Sequence, residues 1–310
     1  MSIDATTVFG LDVRADPPLS LLRGARAQAT GRELDVEVDN LTVAGERDGF
    51  DMVCEQIEPN GKLSFRIEAH PQAGYLLWGP RYGAHLLSRD GRTLRCATAD
   101  ADKHAWQRLL VAQVLPFAAV LHGLEVFHAS AVVVDRRAVA FVGPSRSGKT
   151  SVALELCRRG ASFLADDVLA LERDNWGLVG HPGSPLAGLD HAEAQRAHAG
   201  LAQSRIAGVN ERELLVRMAP TLGPAPLGAL FLLDRRADGP SRPCFEPAAD
   251  ARALLGATFN FVLADRRRLS GLLDVCALVA QRKVQRILMG PSVNATQVGA
   301  AVLARLEASG

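Results

Sequence analysis

Between Val142 and Ser151 the chain reads Gly143-Pro144-Ser145-Arg146-Ser147-Gly148-Lys149-Thr150, and no other stretch restricts the fold as tightly. The pattern G-x-x-x-x-G-K-[ST] curls successive backbone N–H groups around an anion, with a strand entering the loop and a helix leaving it. Both flanks are present. Ala138-Val139-Ala140-Phe141-Val142 is an apolar run of strand length. Val152, Leu154, Leu156 and Cys157 suit a helix, which Arg158-Arg159 and then Gly160 close with a charged last turn and a glycine stop. The helix N-terminus adds its dipole field behind the anion. In such a loop Lys149 reaches the β- and γ-phosphates of a nucleotide and the Thr150 hydroxyl ligates Mg²⁺. ATP with Mg²⁺ is therefore the expected ligand, held by Gly143 to Thr150 and by Ser151 behind them. Arg146 stands where a small residue would wrap the loop most easily; if its φ is positive, it costs about 1–2 kcal/mol. Its side chain either adds charge beside the terminal phosphate, a catalytic role, or lies solvated over the ribose or adenine.

The rest of the chain divides by pattern. Residues 1–103 contain strand-like runs broken by turns. Leu63-Ser64-Phe65-Arg66-Ile67 alternates after Asn60-Gly61, while Tyr75-Leu76-Leu77-Trp78 and His85-Leu86-Leu87 precede Asp90-Gly91, and Thr93-Leu94-Arg95-Cys96 follows it. This predicts a small, mostly antiparallel β-rich domain. Trp106, Leu109, Leu110, Gln113, Val114 and Phe117 fall at helical spacing and open a second domain, 104–310. Two short strands, Ala131–Val134 and Ala138–Val142, should be joined tightly at Asp135-Arg136-Arg137. Ala161–Ala165 and Leu227–Leu233 read as further strands, and Ala248–Leu255, Leu269–Gln281 and Ala295–Ala308 as helices. The fold class is α/β with an α+β tendency.

Asp166-Asp167 ends the strand that follows the phosphate-loop helix. Carboxylates at the C-terminal edge of neighbouring strands face the same crevice as a bound phosphate. One can hold Mg²⁺ and the other accept a proton from an attacking hydroxyl. Asp167 is paired with Thr150 as the metal set, although the assignment of base and metal ligand between the two aspartates stays open. Standing alone, Asp-Asp would more often be a helix cap or surface turn. His128, just before the first core strand, and His181 are by themselves ordinary hydrogen-bonded core histidines. Arg235-Arg236 and Arg266-Arg267-Arg268 read most simply as solvated.

Together these segments resemble the HPr kinase/phosphorylase family and its relatives on the phosphoenolpyruvate-carboxykinase-like nucleotide fold. The resemblance is carried by Phe127-His128-Ala129-Ser130-Ala131-Val132, by Phe141 to Thr150, and by Arg159-Gly160 with Leu164-Ala165-Asp166-Asp167. It covers about residues 120–235. It implies a serine kinase using ATP and Mg²⁺, with the base on Asp166 or Asp167 and His128 close to the reacting phosphate. The Glu-x-Arg-Gly-x-Gly segment of the true HPr kinases has no counterpart around Glu211–Met218. The chain is therefore more similar to the HPr-kinase-related kinases of peptide-modification clusters, which implies a peptide or protein acceptor such as a modified-peptide precursor.

Bulk properties narrow the choice little. A net charge of +1 over 310 residues provides no field to steer the chain toward nucleic acid or an anionic membrane. Five scattered cysteines are expected to be reduced and mostly buried. The start lacks an apolar signal region and no window of 18 apolar residues occurs, so a cytoplasmic protein is expected. Self-association into a homo-oligomer is left open. Three readings compete: a kinase for a peptide or protein hydroxyl, a small-metabolite kinase, and a nucleotide switch with slow ATPase activity.

Overall fold

The computed structural model describes residues 5–26, 28–39, 48–98, 105–175, 177–191, 193, 205–209, 214–219, 223–247, 254–258, 266–281 and 284–308. The chain forms two compact units, the first chiefly Met1–Leu124 and the second Glu125–Thr258 with Val262–Gly310.

In the first unit, β1 (Thr6–Val8), β2 (Leu11–Asp16), β3 (Glu33–Asp39), β4 (Asp51–Ile57), β5 (Leu63–His70), β6 (Gly74–Gly79), β7 (Gly83–Leu87) and β8 (Thr93–Ala97) build one sheet. Their order is β1-β2-β3-β8-β7-β6-β5-β4. The strands from β4 to β8 form the antiparallel meander that Asn60-Gly61 and Asp90-Gly91 predict. The sheet is nevertheless mixed, because β2 runs parallel to β3, and β3 to β8. Then come α1 (Ala105–Leu109), a π-helical turn (Leu110–Val114) and α2 (Leu115–Leu121). This helical stretch belongs to the first unit, so the division falls at 124/125 and not at 103/104. The cause is its apolar face. Trp106, Leu109, Leu110, Val114 and Phe117 are buried, Phe117 meets Tyr75 of β6 edge-on at 4.9 Å, and Trp106 stacks on His85 of β7.

The second unit contains β9 (Glu125–Phe127), β10 (Ala129–Val134), β11 (Arg137–Val142), α3 (Lys149–Arg158), β12 (Ser162–Ala165), β13 (Leu169–Asp174), β14 (Gly177–His181), β15 (Leu186–Leu189), β16 (Arg205–Val209), β17 (Leu214–Arg217), β18 (Ala225–Arg235), β19 (Cys244–Pro247), α4 (Arg266–Gln281), β20 (Gln285–Met289) and α5 (Ala295–Glu307). Its main sheet runs β12-β10-β11-β18-β14-β13-β9, with β20 on β18 and β19 on β20. β15, β17 and β16 form a separate three-stranded sheet.

The tight turn between β10 and β11 is present, with Asp135 and Arg136 at φ 45° and 63°. β11 and β18 are parallel and central, buried on both faces, which explains their unbroken apolar runs. Alternation along β11 divides the core. Val139 and Phe141 join Val152 and Leu156 of α3 and Val298 and Val302 of α5. Ala138, Ala140 and Val142 face the other way, in the cluster that holds Leu272, Val275 and Val279 of α4. The helix expected over 248–255 lies largely outside the described residues, as do the side chains of Arg266, Arg267 and Arg268. Of the five cysteines, all free, Cys96 and Cys276 are buried and Cys244 is exposed.

Candidate functional site

Sheet register assembles the site. β10 pairs antiparallel with β11, Ala129 opposite Val142, so His128 is brought to the edge where the loop 143–148 leaves β11. β10 also pairs with β12, Ala131 opposite Ala165, which sets Ser130 beside Asp166. Three segments separated in sequence thereby meet at one end of the sheet.

The loop has the geometry its sequence demands. Gly143 lies against β18: a Cβ there would stand 2.7 Å from the Leu233 carbonyl oxygen and 2.8 Å from Ser147 Oγ. Gly148 precedes α3 in the left-handed region at φ 98°. Arg146 adopts φ 63°, the strained backbone its position threatened, and its side chain is exposed along with Pro144 and Ser145. Lys149 is 6% exposed, and its Nζ donates to the carbonyl oxygens of Gly143 (3.0 Å) and Pro144 (3.2 Å). Burial lowers its proton affinity, while Asp167 and Asp166 raise it in part. The Ser151 hydroxyl is turned to Glu193.

Asp166 is the hub. Its buried Oδ1 accepts from Ser130 Oγ at 2.6 Å and Thr150 Oγ1 at 2.8 Å, and its Oδ2 from the Gly188 N–H at 3.0 Å. Burial, and then the charge of Asp167, push its pKa up to about 7 against the pull of those three donors. Asp167 is half-buried, with its backbone at φ 61°. The Asp167 carbonyl oxygen accepts from His128 Nδ1 at 2.9 Å. A carbonyl only accepts, so Nδ1 carries the hydrogen and Nε2 of the neutral ring keeps its lone pair. Burial and the Lys149 charge hold His128 below the usual histidine range, partly opposed by Asp167.

His181 is a core histidine, 3% exposed, with Nε2 at 2.8 Å from Glu172. Arg236 pairs at the surface with Asp234, 2.8 Å. Arg235 is exposed, in keeping with the solvated expectation, but its Nη1 also donates to the carbonyl oxygens of Gly290 (2.9 Å) and Val293 (2.8 Å), with Pro291 at 3.4 Å. Sequence reasoning gave no role to Ser130 or Gly188. Ser130 stands within the histidine motif, but only the β10–β12 register reveals what its hydroxyl meets.

The site is thus a strand–loop–helix turn on a mixed α/β sheet, with a buried carboxylate tied to its Thr150. No protein-family model matches the chain, and no curated protein is similar to it in sequence. Among solved structures, the HPr(Ser) kinase/phosphatase from Coxiella burnetii is similar over 60% of this chain and 99% of that one, at 15% identity and a TM-score of 0.32. So loose a likeness adds nothing to the geometry. Among the described residues, no helix is long and apolar enough to cross a membrane.

Proposed function

We propose that this protein is an ATP- and Mg²⁺-dependent kinase that transfers the γ-phosphoryl group to a hydroxyl, a serine of a peptide or protein, in the cytoplasm. Its second unit would be a nucleotide-binding core of the phosphoenolpyruvate-carboxykinase-like kind. The observation that carries this reading is the hydrogen bond from Thr150 of the phosphate loop to buried Asp166, with Asp167 and His128 alongside. An anion cradle alone binds phosphate; an anion cradle joined to two carboxylates and a histidine can also move a proton beside it.

The donor set suits Mg²⁺. Among the described residues no group of three or more His, Cys, Asp or Glu side chains could hold a metal, but Mg²⁺ needs only one or two protein oxygens besides phosphate and water. Thr150 and Asp166 supply these, and Asp166 is a buried carboxylate that a cation would keep ionised. This favours Asp166 over Asp167 on the metal side. When bound, the ion would neutralise charge on the phosphates.

The chain's own groups do the rest. Loop amides and Lys149 orient the triphosphate. Asp166 is buried and lies on the metal side, so half-buried Asp167 is the carboxylate that takes the hydroxyl proton. The acceptor oxygen bonds to phosphorus as the bond to the ADP oxygen breaks. His128, neutral with Nε2 as acceptor, orients the incoming hydroxyl. In assays with labelled ATP and candidate peptides, Asp167→Asn should keep ATP affinity within a few-fold and lose transfer about 10²–10⁴-fold. Full transfer by that variant removes Asp167 as base. ATP hydrolysis with no acceptor ever labelled would replace the kinase with a nucleotide switch.

A further inference from the structure

The phosphate loop has two flanks. On one, β10 and β12 deliver Ser130, His128, Asp166 and Asp167. On the other lies β18, parallel to β11, whose last residue is Arg235. The residue is exposed, but its guanidinium is held at one nitrogen, since Nη1 is directed at the three carbonyl oxygens of Gly290, Pro291 and Val293. Its Nη2 lies 3.9 Å from where a Cβ on Gly148 would stand, next to the first residue of α3. Among the described residues no carboxylate pairs with Arg235, so its charge is held in place by carbonyl oxygens and by no anionic group of those residues. A polar group of the loop lies open as well: Ser147 Oγ, on a residue 5% exposed, has no hydrogen-bond partner among the described residues, and it points to the space beside Gly143.

We propose that Arg235 anchors the part of the nucleotide that leaves as the diphosphate, gripping a phosphate oxygen with its Nη2 edge while Nη1 stays on the three carbonyls. This rests on the nucleotide reading above and goes beyond it by assigning a residue and a direction. The reacting phosphorus lies on the Asp167 and His128 flank, where the proton acceptor is. Arg235, across the loop, faces the trailing phosphates and keeps its contact before and after transfer. A planar fork can serve carbonyls with one nitrogen and an anion with another; a lysine ammonium, a point charge, cannot hold both in one geometry.

Calorimetric titration with Mg·ADP and Mg·ATP tests this, using wild type, Arg235→Gln, Arg235→Lys and Lys149→Ala, with thermal melts alongside. Arg235→Gln should weaken both nucleotides by the same factor, about tenfold, and Arg235→Lys should weaken both several-fold. An ADP affinity within twofold of wild type in Arg235→Gln overturns the proposal, even if the melting temperature drops, because Arg235 would then only brace the 290–293 turn. A loss for ATP but not ADP overturns the assigned direction. Should Arg235→Gln fail to fold, wild-type ADP affinity in Arg235→Lys overturns the proposal instead. Absence of nucleotide binding by wild type sinks the nucleotide reading itself, whereas binding lost in Lys149→Ala but intact in Arg235→Gln sinks only this inference.

Discussion

Asp166 offers a test in which stability and function should separate. In Asp166→Asn the side chain keeps its shape. Turned with its amide oxygen toward the Gly188 N–H, it offers its NH₂ to the Ser130 and Thr150 hydroxyls, which can accept as well as donate. All three hydrogen bonds survive, the two to the hydroxyls with donor and acceptor exchanged. The buried charge is also a burden, since the raised pKa near 7 means that the folded protein disfavours the carboxylate. At pH 6 the substitution should therefore move stability by only about 1 kcal/mol. Asp166→Ala differs: it strips the acceptor from Ser130, which is fully buried, and from the Gly188 N–H, at about 1–3 kcal/mol each. The sign with pH follows from the same shift. A carboxyl whose pKa is higher folded than unfolded stabilises the fold most at low pH, and that contribution is lost as pH rises from about 4 to about 7. Wild type should thus lose stability relative to Asp166→Asn across that window. Mg·ATP affinity should behave oppositely, falling at least about 30-fold in Asp166→Asn, because a charge on the metal side is gone. Denaturant melts at pH 4, 6 and 8 with calorimetry on the same samples decide it. An Asp166→Asn protein as unstable as Asp166→Ala, or one binding Mg·ATP like wild type, would refute the reasoning.

Other outcomes follow from the same geometry. Lys149→Ala should abolish tight ATP binding, at a cost of about 2–5 kcal/mol, in calorimetry; unchanged affinity would remove the loop from nucleotide binding. Gly143→Ala puts a methyl 2.7 Å from the Leu233 carbonyl oxygen, so strand or loop must shift. That should cost about 1–3 kcal/mol in a melt together with most of the ATP affinity, and a fully active Gly143→Ala protein would contradict the packing of the loop on β18. Excess chelator should stop phosphoryl transfer and be reversed by added Mg²⁺ in a labelled-ATP assay; equal turnover in chelator would count against Thr150 and Asp166 as metal ligands.

What the sequence determined by itself is local chemistry. A glycine at each end of the loop, a lysine and a threonine suffice to set a strand–loop–helix cradle, because each requirement falls on neighbouring residues: room beside Leu233 at Gly143, φ 98° at Gly148. The β10–β11 turn, the meander of β4 to β8 and helices α3, α4 and α5 were legible for the same reason, as periodicity and turn chemistry over a few residues. The pairing of distant segments was not. That β2 and β3 run parallel, or that helices α1 and α2 cover the first sheet, depends on which faces close over a shared core, and no local pattern states that. The site divides along the same line. Asp166-Asp167 stand together in the chain, yet only the fold separates them, burying Asp166 under Ser130, Thr150 and Gly188 while leaving Asp167 half-open at φ 61°. Arg235 and Arg236 look alike in sequence; the carbonyls of the 290–293 turn, brought in because β20 pairs with β18, single out Arg235. Hydrogen-bond partners and desolvation are properties of assembled surroundings, and those come into being only when the sheet does.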